Sequence, residues 1–236
     1  MYKKSLAIMA LAFSASASFA TFTPVTDNSQ LQDDHIDWGT AFGAEFTQVT
    51  SGSFGLTTGG RLFQVWSDDD FGNNDFGGLE RRDEDSGWAG EFQPGEHLLW
   101  HQASYTNDFT QHSVLRIDIL SGDVVGIGVQ SQSNAGGNFT TYAGYWNPYP
   151  ANLIGFSSNT GVNNIGSHNG SAYTGGYTDD GTKIGQMFVL SSMDDGSDNF
   201  GFAVGTVDLK VVPEPTSMLA LGLGVAAMVR RRRKSA

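Results

Sequence analysis

The chain has 236 residues, 31 of them glycine and none cysteine, which excludes disulfides, thiolate metal sites, iron–sulfur clusters and cysteine nucleophiles. Its formal charge of −12 understates the acidity of the middle. Residues 21–212 hold six basic against 24 acidic side chains, a net of −18, and the other basic residues sit at the two ends. Such a domain repels phosphate backbones and is not expected to bind nucleic acid, whereas solubility, cations and neutral glycans suit it.

In chain order, Lys3 and Lys4 precede eight apolar residues (6–13), and small residues follow up to Ala20. Positive flank, short apolar core and small-residue run predict a signal peptide over 1–20. Signal peptidase would cut after Ala20, with Ala15-Ser16-Ala17 as a second site. A buried N-terminal helix is the alternative.

Residues 21–212 are long enough for one sizeable core and are read as a single domain. Long amphipathic helical patterns are missing, and short alternating runs recur. In 113–120 Leu115, Ile117 and Ile119 share one face, with Arg116 and Asp118 on the other. Phe200, Phe202 and Val204 alternate likewise, and Val207, Leu209 and Val211 continue one residue out of phase, as a β-bulge would produce. Further strands are predicted over 44–50, 61–67, 97–102, 124–130, 139–145, 153–157 and 184–192, divided by turn-forming Gly, Asn, Asp and Ser clusters. Nine or ten short strands predict an all-β fold, a two-layer antiparallel β-sandwich of jelly-roll type. A closed barrel is the alternative, and no fixed repeat points to a solenoid or propeller.

The last segment, 213–236, has three parts. Pro213-Glu214-Pro215 is a stiff extended stop. The 14 uncharged residues 216–229 would span about 21 Å as a helix, short of the roughly 30 Å hydrocarbon core. Arg230, Arg231, Arg232, Arg233 and Lys234 follow, a membrane stop that snorkelling arginines suit and that the positive-inside rule places in the cytoplasm. This arrangement resembles the PEP-CTERM sorting signal of exported proteins in Gram-negative bacteria that make exopolysaccharide. The resemblance implies recognition at Pro213-Glu214-Pro215 by an exosortase, an integral-membrane cysteine transpeptidase-like enzyme. It further implies loss of the short transmembrane helix and Arg tail, and passage from the inner membrane to the cell surface or matrix. Two blocks, 33–39 (DDHIDWG) and 79–100 (LERRDEDSGWAGEFQPGEHLLW), are similar to an uncharacterised group of PEP-CTERM proteins, which implies a shared fold and no activity.

Three constellations invite chemistry. Around Trp88, the run Arg81 to Asp85 beside a Gly-Trp-Ala-Gly turn offers pairing with sugar hydroxyls or uronic carboxylates, but the favoured reading is structural, with Trp88 and Phe92 plugging the sandwich and Arg81 or Arg82 paired to nearby acid. Asp68, Asp70, Asn73 and Asp75 concentrate oxygen ligands in a Gly-containing loop, the requirement of a Ca²⁺ site, although position five of an EF-hand starting at Asp68 would be Gly72 and no glutamate closes it. Such loops are also ordinary solvated turns. Tyr142, Tyr145, Trp146 and Tyr149 offer flat rings with polar handles for stacking on sugars, yet Tyr and Trp are also ordinary strand residues. Catalytic signatures are weak. His97 and His101, four apart in a strand, would stand about 13 Å apart, too far to share a metal. No nucleophile elbow, Walker loop or dinucleotide fingerprint occurs. The expectation is therefore a non-catalytic extracellular domain that associates with exopolysaccharide. A polysaccharide-active enzyme and a purely structural matrix protein are the alternatives.

Overall fold

A computed structural model of the chain describes residues 21–69, 78–88, 91–102, 113–147, 152–163, 170–194 and 201–212. Fourteen strands and one five-residue helix are found there. They run β1 (Phe22–Val25), β2 (Asp34–Ile36), α1 (Trp38–Phe42), β3 (Gln48–Val49), β4 (Ser53–Leu56), β5 (Leu62–Asp69), β6 (Leu79–Asp83), β7 (His97–His101), β8 (Ser113–Ile119), β9 (Val124–Ser133), β10 (Gly137–Trp146), β11 (Leu153–Asn163), β12 (Ala172–Thr178), β13 (Gln186–Met193) and β14 (Phe202–Val211). Sheet A has the order β1-β12-β9-β14-β7-β6-β3, with β2 also paired to β14, and sheet B the order β11-β10-β13-β8-β5-β4. Every strand pair is antiparallel. The fold is thus a two-layer, jelly-roll-like β-sandwich.

Period-two alternation sends one face of each sheet inward. Leu115, Ile117 and Ile119 of β8 meet Ile127 and Val129 of β9 and Val204, Val207 and Leu209 of β14 in one core. Hydroxyls stitch the layers across it. Tyr145 in sheet B bonds Ser157 at 2.7 Å, Ser157 bonds Thr174 of sheet A at 2.9 Å, and Ser131 of sheet A bonds Thr141 of sheet B. Buried hydroxyls without such partners would be costly.

The phase shift read from the sequence of β14 is a bulge: three steps from Val204 to Val207 oppose two from Ser131 to Val129. It frees two backbone groups. Gly205 O accepts from Trp38 Nε1 at 2.7 Å, and Thr206 N donates to Glu96 Oε1 at 2.7 Å.

The block 33–39 is an end-clamp. Asp33 accepts from Val211 N. Asp34 accepts from Thr57 Oγ1 at 2.5 Å, Thr58 Oγ1 at 2.9 Å, Gly59 N at 2.6 Å and Arg61 Nη1 at 2.8 Å. Asp37 caps α1 through Thr40 N, and Ile36 and Trp38 are fully buried. Burial alone would raise the Asp34 carboxyl, but the bonds from Thr57, Arg61, Gly59 and Thr58 hold it at about 2. Arg61 reaches on to Asp123 just before β9, closing one end of the sandwich.

The strands predicted from sequence are all present in the described residues, although the prediction over 44–50 shrinks to β3. The sequence reading missed β1, β2, β4, β6 and β12. Among the described residues no helix is long and apolar enough to cross a membrane. The signal segment 1–20 and the segment 216–229 lie outside the described residues.

Candidate functional site

Strand β10 has two different faces. Phe139, Thr141, Ala143 and Tyr145 point into the sandwich and are buried. Tyr142 and Trp146 stand on the outer face of sheet B, and Tyr142 is 46% exposed. Trp146 lies over Gly144, where a Cβ would collide with its indole, and packs edge-on against Phe156 and Phe188 with centroids 6.1 and 4.7 Å away.

Strand register lines these residues up. Trp66 of β5 pairs with Arg116 of β8, Arg116 with Phe188 of β13, Phe188 with Gly144 of β10, and Gly144 with Phe156 of β11. The result is one straight row crossing five strands, roughly 19 Å long at about 4.8 Å per strand. The flanking row is polar on one side, with Gln64 opposite Asp118 and Asp118 opposite Gln186, and ends on Trp146. On the other side Leu190, Tyr142 and Ser158 are in register. Phe54, Leu56 and Leu62 extend the apolar surface toward the β4 edge, all more than two-fifths exposed. At the β11 end the row runs into a groove of about 460 Å³ lined by Pro24, Val25, Tyr142, Phe156 and Ser158.

The centre of the row is charged. The Arg116 guanidinium sits 4.6 Å from the Trp66 ring centroid and 5.9 Å from that of Phe188. Its Nε lies 3.3 Å from Asp118 Oδ1, and Asp118 Oδ2 accepts from Trp66 Nε1 at 3.0 Å. Burial raises the Asp118 carboxyl from its ordinary range, with Arg116 and Trp66 opposing the shift. Fixed donors and acceptors are therefore held between flat rings, on a sheet face that no described segment covers.

The outer face of sheet A is different. Leu31 is fully buried over a glycine patch, where a Cβ on Gly126 or Gly128 would lie 2.6 or 2.8 Å from its methyls. Trp88 and Phe92 bury themselves against Leu98 and Ala203 in a separate small cluster. Between these covers lies a polar cleft of about 570 Å³, floored by His35, Gln130, Tyr173 and Asp208 and walled by the turn 93–96.

Several of the predicted site residues fall in new light. Tyr145 is a correction: its ring is wholly buried, packs at a tilt against Phe22 with centroids 4.8 Å apart, and leaves no face for a ligand. The cause is parity, since Tyr145 and Trp146 are neighbours in one strand and must point to opposite sides. Burial also raises the Tyr145 hydroxyl well above its ordinary value. Tyr149, Asp70, Asn73, Asp75, Pro213, Glu214, Pro215 and Arg230, Arg231, Arg232 and Arg233 lie outside the described residues. Asp68 belongs to β5, paired with Val114. The Trp88 block takes its packing role, but on the outside of sheet A rather than between the layers. Arg81 pairs with Asp83 and Arg82 with Glu80, and Arg82 also lies over Trp100 at 4.9 Å. The sequence reading missed Trp66, Arg116, Phe188 and Phe156. Alternation could have placed each on an outer face, but only strand order puts them side by side. Carboxylate oxygens of Glu45, Asp83 and Asp85 converge within 4.8 Å, an acidic cluster to which Arg81 and Ser86 already bond.

Residues 211–234 match the PEP-CTERM protein-sorting motif. The chain carries that sorting signal, and the match begins in the last residue of β14. A search of curated proteins found no match. In structure, the chain is similar to a DUF4465 family protein from Bacteroides caccae, with 11% identity over 80% of this chain and 100% of that one, at a TM-score of 0.40. It is also similar to a family 29 carbohydrate-binding module mutant complexed with mannohexaose, with 11% identity over 70% of this chain and 90% of that one, at a TM-score of 0.34. A third likeness is to a β-1,3-glucan binding CBM6 from Bacillus halodurans, with 11% identity over 61% of this chain and 95% of that one, at a TM-score of 0.33. At these scores none says what this chain binds.

Proposed function

We propose that this is an exported, non-catalytic surface or matrix protein whose β-sandwich holds extracellular polysaccharide on the outer face of sheet B. The observation that carries the reading is the unbroken row of Trp66, Arg116, Phe188, Trp146 and Phe156 across five strands. Large exposed apolar patches mark interaction sites. A sugar ring presents an apolar face and a rim of hydroxyls, and this row offers the complement of both. Aromatic faces take the first, and Arg116, Asp118, Gln64 and Gln186 take the second. The acidity of the domain favours neutral chains over anionic ones.

Export and processing belong to the same proposal. The sorting motif supports retention at the inner membrane, exosortase cleavage near Pro213-Glu214-Pro215, and release outward. Val212 N still donates to Asp123 O, so the folded strand ends right before Pro213-Glu214-Pro215 and cleavage there leaves the sandwich whole. Mature protein from the surface fraction is expected to lack Arg230–Arg233. Full-length protein found only in the inner membrane of an exosortase-competent cell would sink this part. Calcium at Asp68, Asp70, Asn73 and Asp75 is also proposed, from the density of oxygen ligands in that stretch of sequence. It predicts a melting temperature that chelator lowers, and a chelator-indifferent melt removes it.

Affinity electrophoresis through gels containing neutral polysaccharides tests the binding reading. Retardation is expected, and Trp146→Ala or Phe156→Ala should abolish it while the melting temperature holds. Loss of a central aromatic anchor typically costs about 2 kcal/mol or more, roughly thirtyfold in affinity. Equal migration in every gel would overturn the assignment, and release of reducing ends would replace it with an enzyme.

A further inference from the structure

The cleft on sheet A is a built feature. Its floor takes one side chain from each of four adjacent strands: Tyr173 from β12, Gln130 from β9, Asp208 from β14 and His35 from β2. Tyr173 and Gln130 are register partners, as are Asp208 and His35. Between the two pairs stands Gly128, the register partner of Asp208. A Cβ there would lie 2.5 Å from the Tyr173 hydroxyl oxygen, so only glycine lets the tyrosine lean across β9 and donate to Asp208 Oδ2 at 3.2 Å. The wall is fixed as firmly. Glu96 accepts from Thr206 N, freed by the bulge, and from Gln93 N at 3.1 Å, which pins the turn 93–96 beside the floor. Bulges recur where a strand is re-aimed beside a site.

The chemistry of the lining selects the ligand. Amides, a phenol, an imidazole and a carboxylate give donors and acceptors at close spacing, with no exposed aromatic row. Among the described residues no lysine or arginine lines the cleft, so phosphate, sulfate and uronate find no counter-charge there, and Asp208 and Glu96 repel them. Burial raises the Asp208 carboxyl from its ordinary range, while bonds from Asn28 and Tyr173 oppose the shift.

We infer that this cleft is a second ligand site, taking a single neutral sugar unit or chain end, on the layer opposite the aromatic row. Joined to the reading of sheet B as a polysaccharide-binding face, on which this clause alone rests, it makes one domain a bridge between two saccharide chains. Two sites on opposite layers cannot be occupied by one short chain, so bridging rather than tighter grip on one chain is the consequence.

Ligand-observed NMR titration of the full chain, held in a detergent without a sugar head group, tests the cleft. Glucose, mannose and galactose are the probes for the cleft, and cellotetraose and mannotetraose for the row. Tyr173→Phe and Asp208→Asn should each weaken monosaccharide binding about tenfold and leave tetrasaccharide binding unchanged, while disturbing their shared hydrogen bond lowers the melting temperature by no more than about 2–4 °C. Trp146→Ala should do the reverse. If the cleft variants act and Trp146→Ala does nothing, the cleft stands and the reading of sheet B fails. If Trp146→Ala acts and both cleft variants bind monosaccharides like the parent, the cleft inference is overturned. Absence of binding by every monosaccharide, or a preference for glucosamine or galacturonate over the neutral sugars, overturns it as well.

Discussion

The two outer faces of the sandwich are built on the same alternation but end differently. On sheet A the outward positions of β9 and β12 include Gly126, Gly128 and Gly175, and the chain folds Leu31 onto them. The Trp88 cluster covers the far end, and what stays open is polar. On sheet B the outward positions of β5, β13, β10 and β11 are Trp66, Phe188, Trp146 and Phe156, and no described segment folds over them. Small residues in a strand invite the protein's own chain to cover it. Large rings left partly open, with Phe156 at 64% exposure, invite something else, because exposed aromatic surface gains stability only when a partner buries it. The covered face therefore contributes to stability, the proposed role of the open face is recognition, and substitutions should separate the two.

The largest effect is expected where the cover of sheet A is tied down. Asp34 is 2% exposed and anchors the segment that carries Leu31 into β2. Asp34→Ala leaves the Arg61 guanidinium without one of its two carboxylate partners and leaves four further hydrogen-bond donors, on His35, Thr57, Thr58 and Gly59, unanswered. Breaking a buried pair in this way costs about 3–5 kcal/mol, to be read from chemical denaturation. Because the native carboxyl stands at about 2, below its unfolded value, the stabilisation is present above about pH 4 and is lost as the pH falls through 2. Leu31→Ala comes next, at about 2–5 kcal/mol by cavity formation. A comparable truncation on the other face, Phe156→Ala, should stay within roughly 0.5 kcal/mol, as surface changes do. Equal costs for Leu31→Ala and Phe156→Ala would erase the distinction between the faces.

A smaller effect probes the interior both faces share. His101 is fully buried, stacks on Phe202 at 5.3 Å and lies 2.9 Å from Ser67 Oγ. Burial lowers its imidazole to about 3. The unfolded chain takes up the proton first, so stability is complete above about pH 6.5 and falls as the pH drops from there toward 3. The slope from this one group is at most roughly 1.4 kcal/mol per pH unit. His101→Gln should flatten the stability profile over that window, and an unchanged slope would assign acid sensitivity to the carboxylates alone.

Legibility from sequence divides along physical lines. Strands with clean alternation of large apolar and polar residues, such as β8 and β13, were readable because burial of one face dictates the pattern. The bulge in β14 was readable as a break in phase. β12 (Ala172–Thr178, AYTGGYT) was not, because its outward face is filled by residues that answer to Leu31, far away in sequence. β2, β4 and β6 are held by tertiary bonds such as the Asp34 hub rather than by their own pattern. Of the site, Tyr142 and Trp146 were legible as aromatics in one run. Trp66, Arg116, Phe188 and Phe156 were not, since a row across strands exists only once strand order is known.

The finest test uses two adjacent residues of β10. Tyr145→Phe removes one hydroxyl bonded to Ser157 and so loosens the stitch to Thr174 of sheet A, at a cost of about 1 kcal/mol. It should leave glycan binding untouched, because the ring stays in the core. Trp146→Phe keeps an aromatic ring over Gly144 and should leave the melt unchanged while lowering affinity by less than Trp146→Ala does. The two substitutions are matched in chemistry and differ only in the side of the sheet they face. If both moved the melt, Trp146 would belong to the core in spite of its partial exposure. If both moved binding, the ligand would be reading the rigidity of β10 rather than the ring on its outer face.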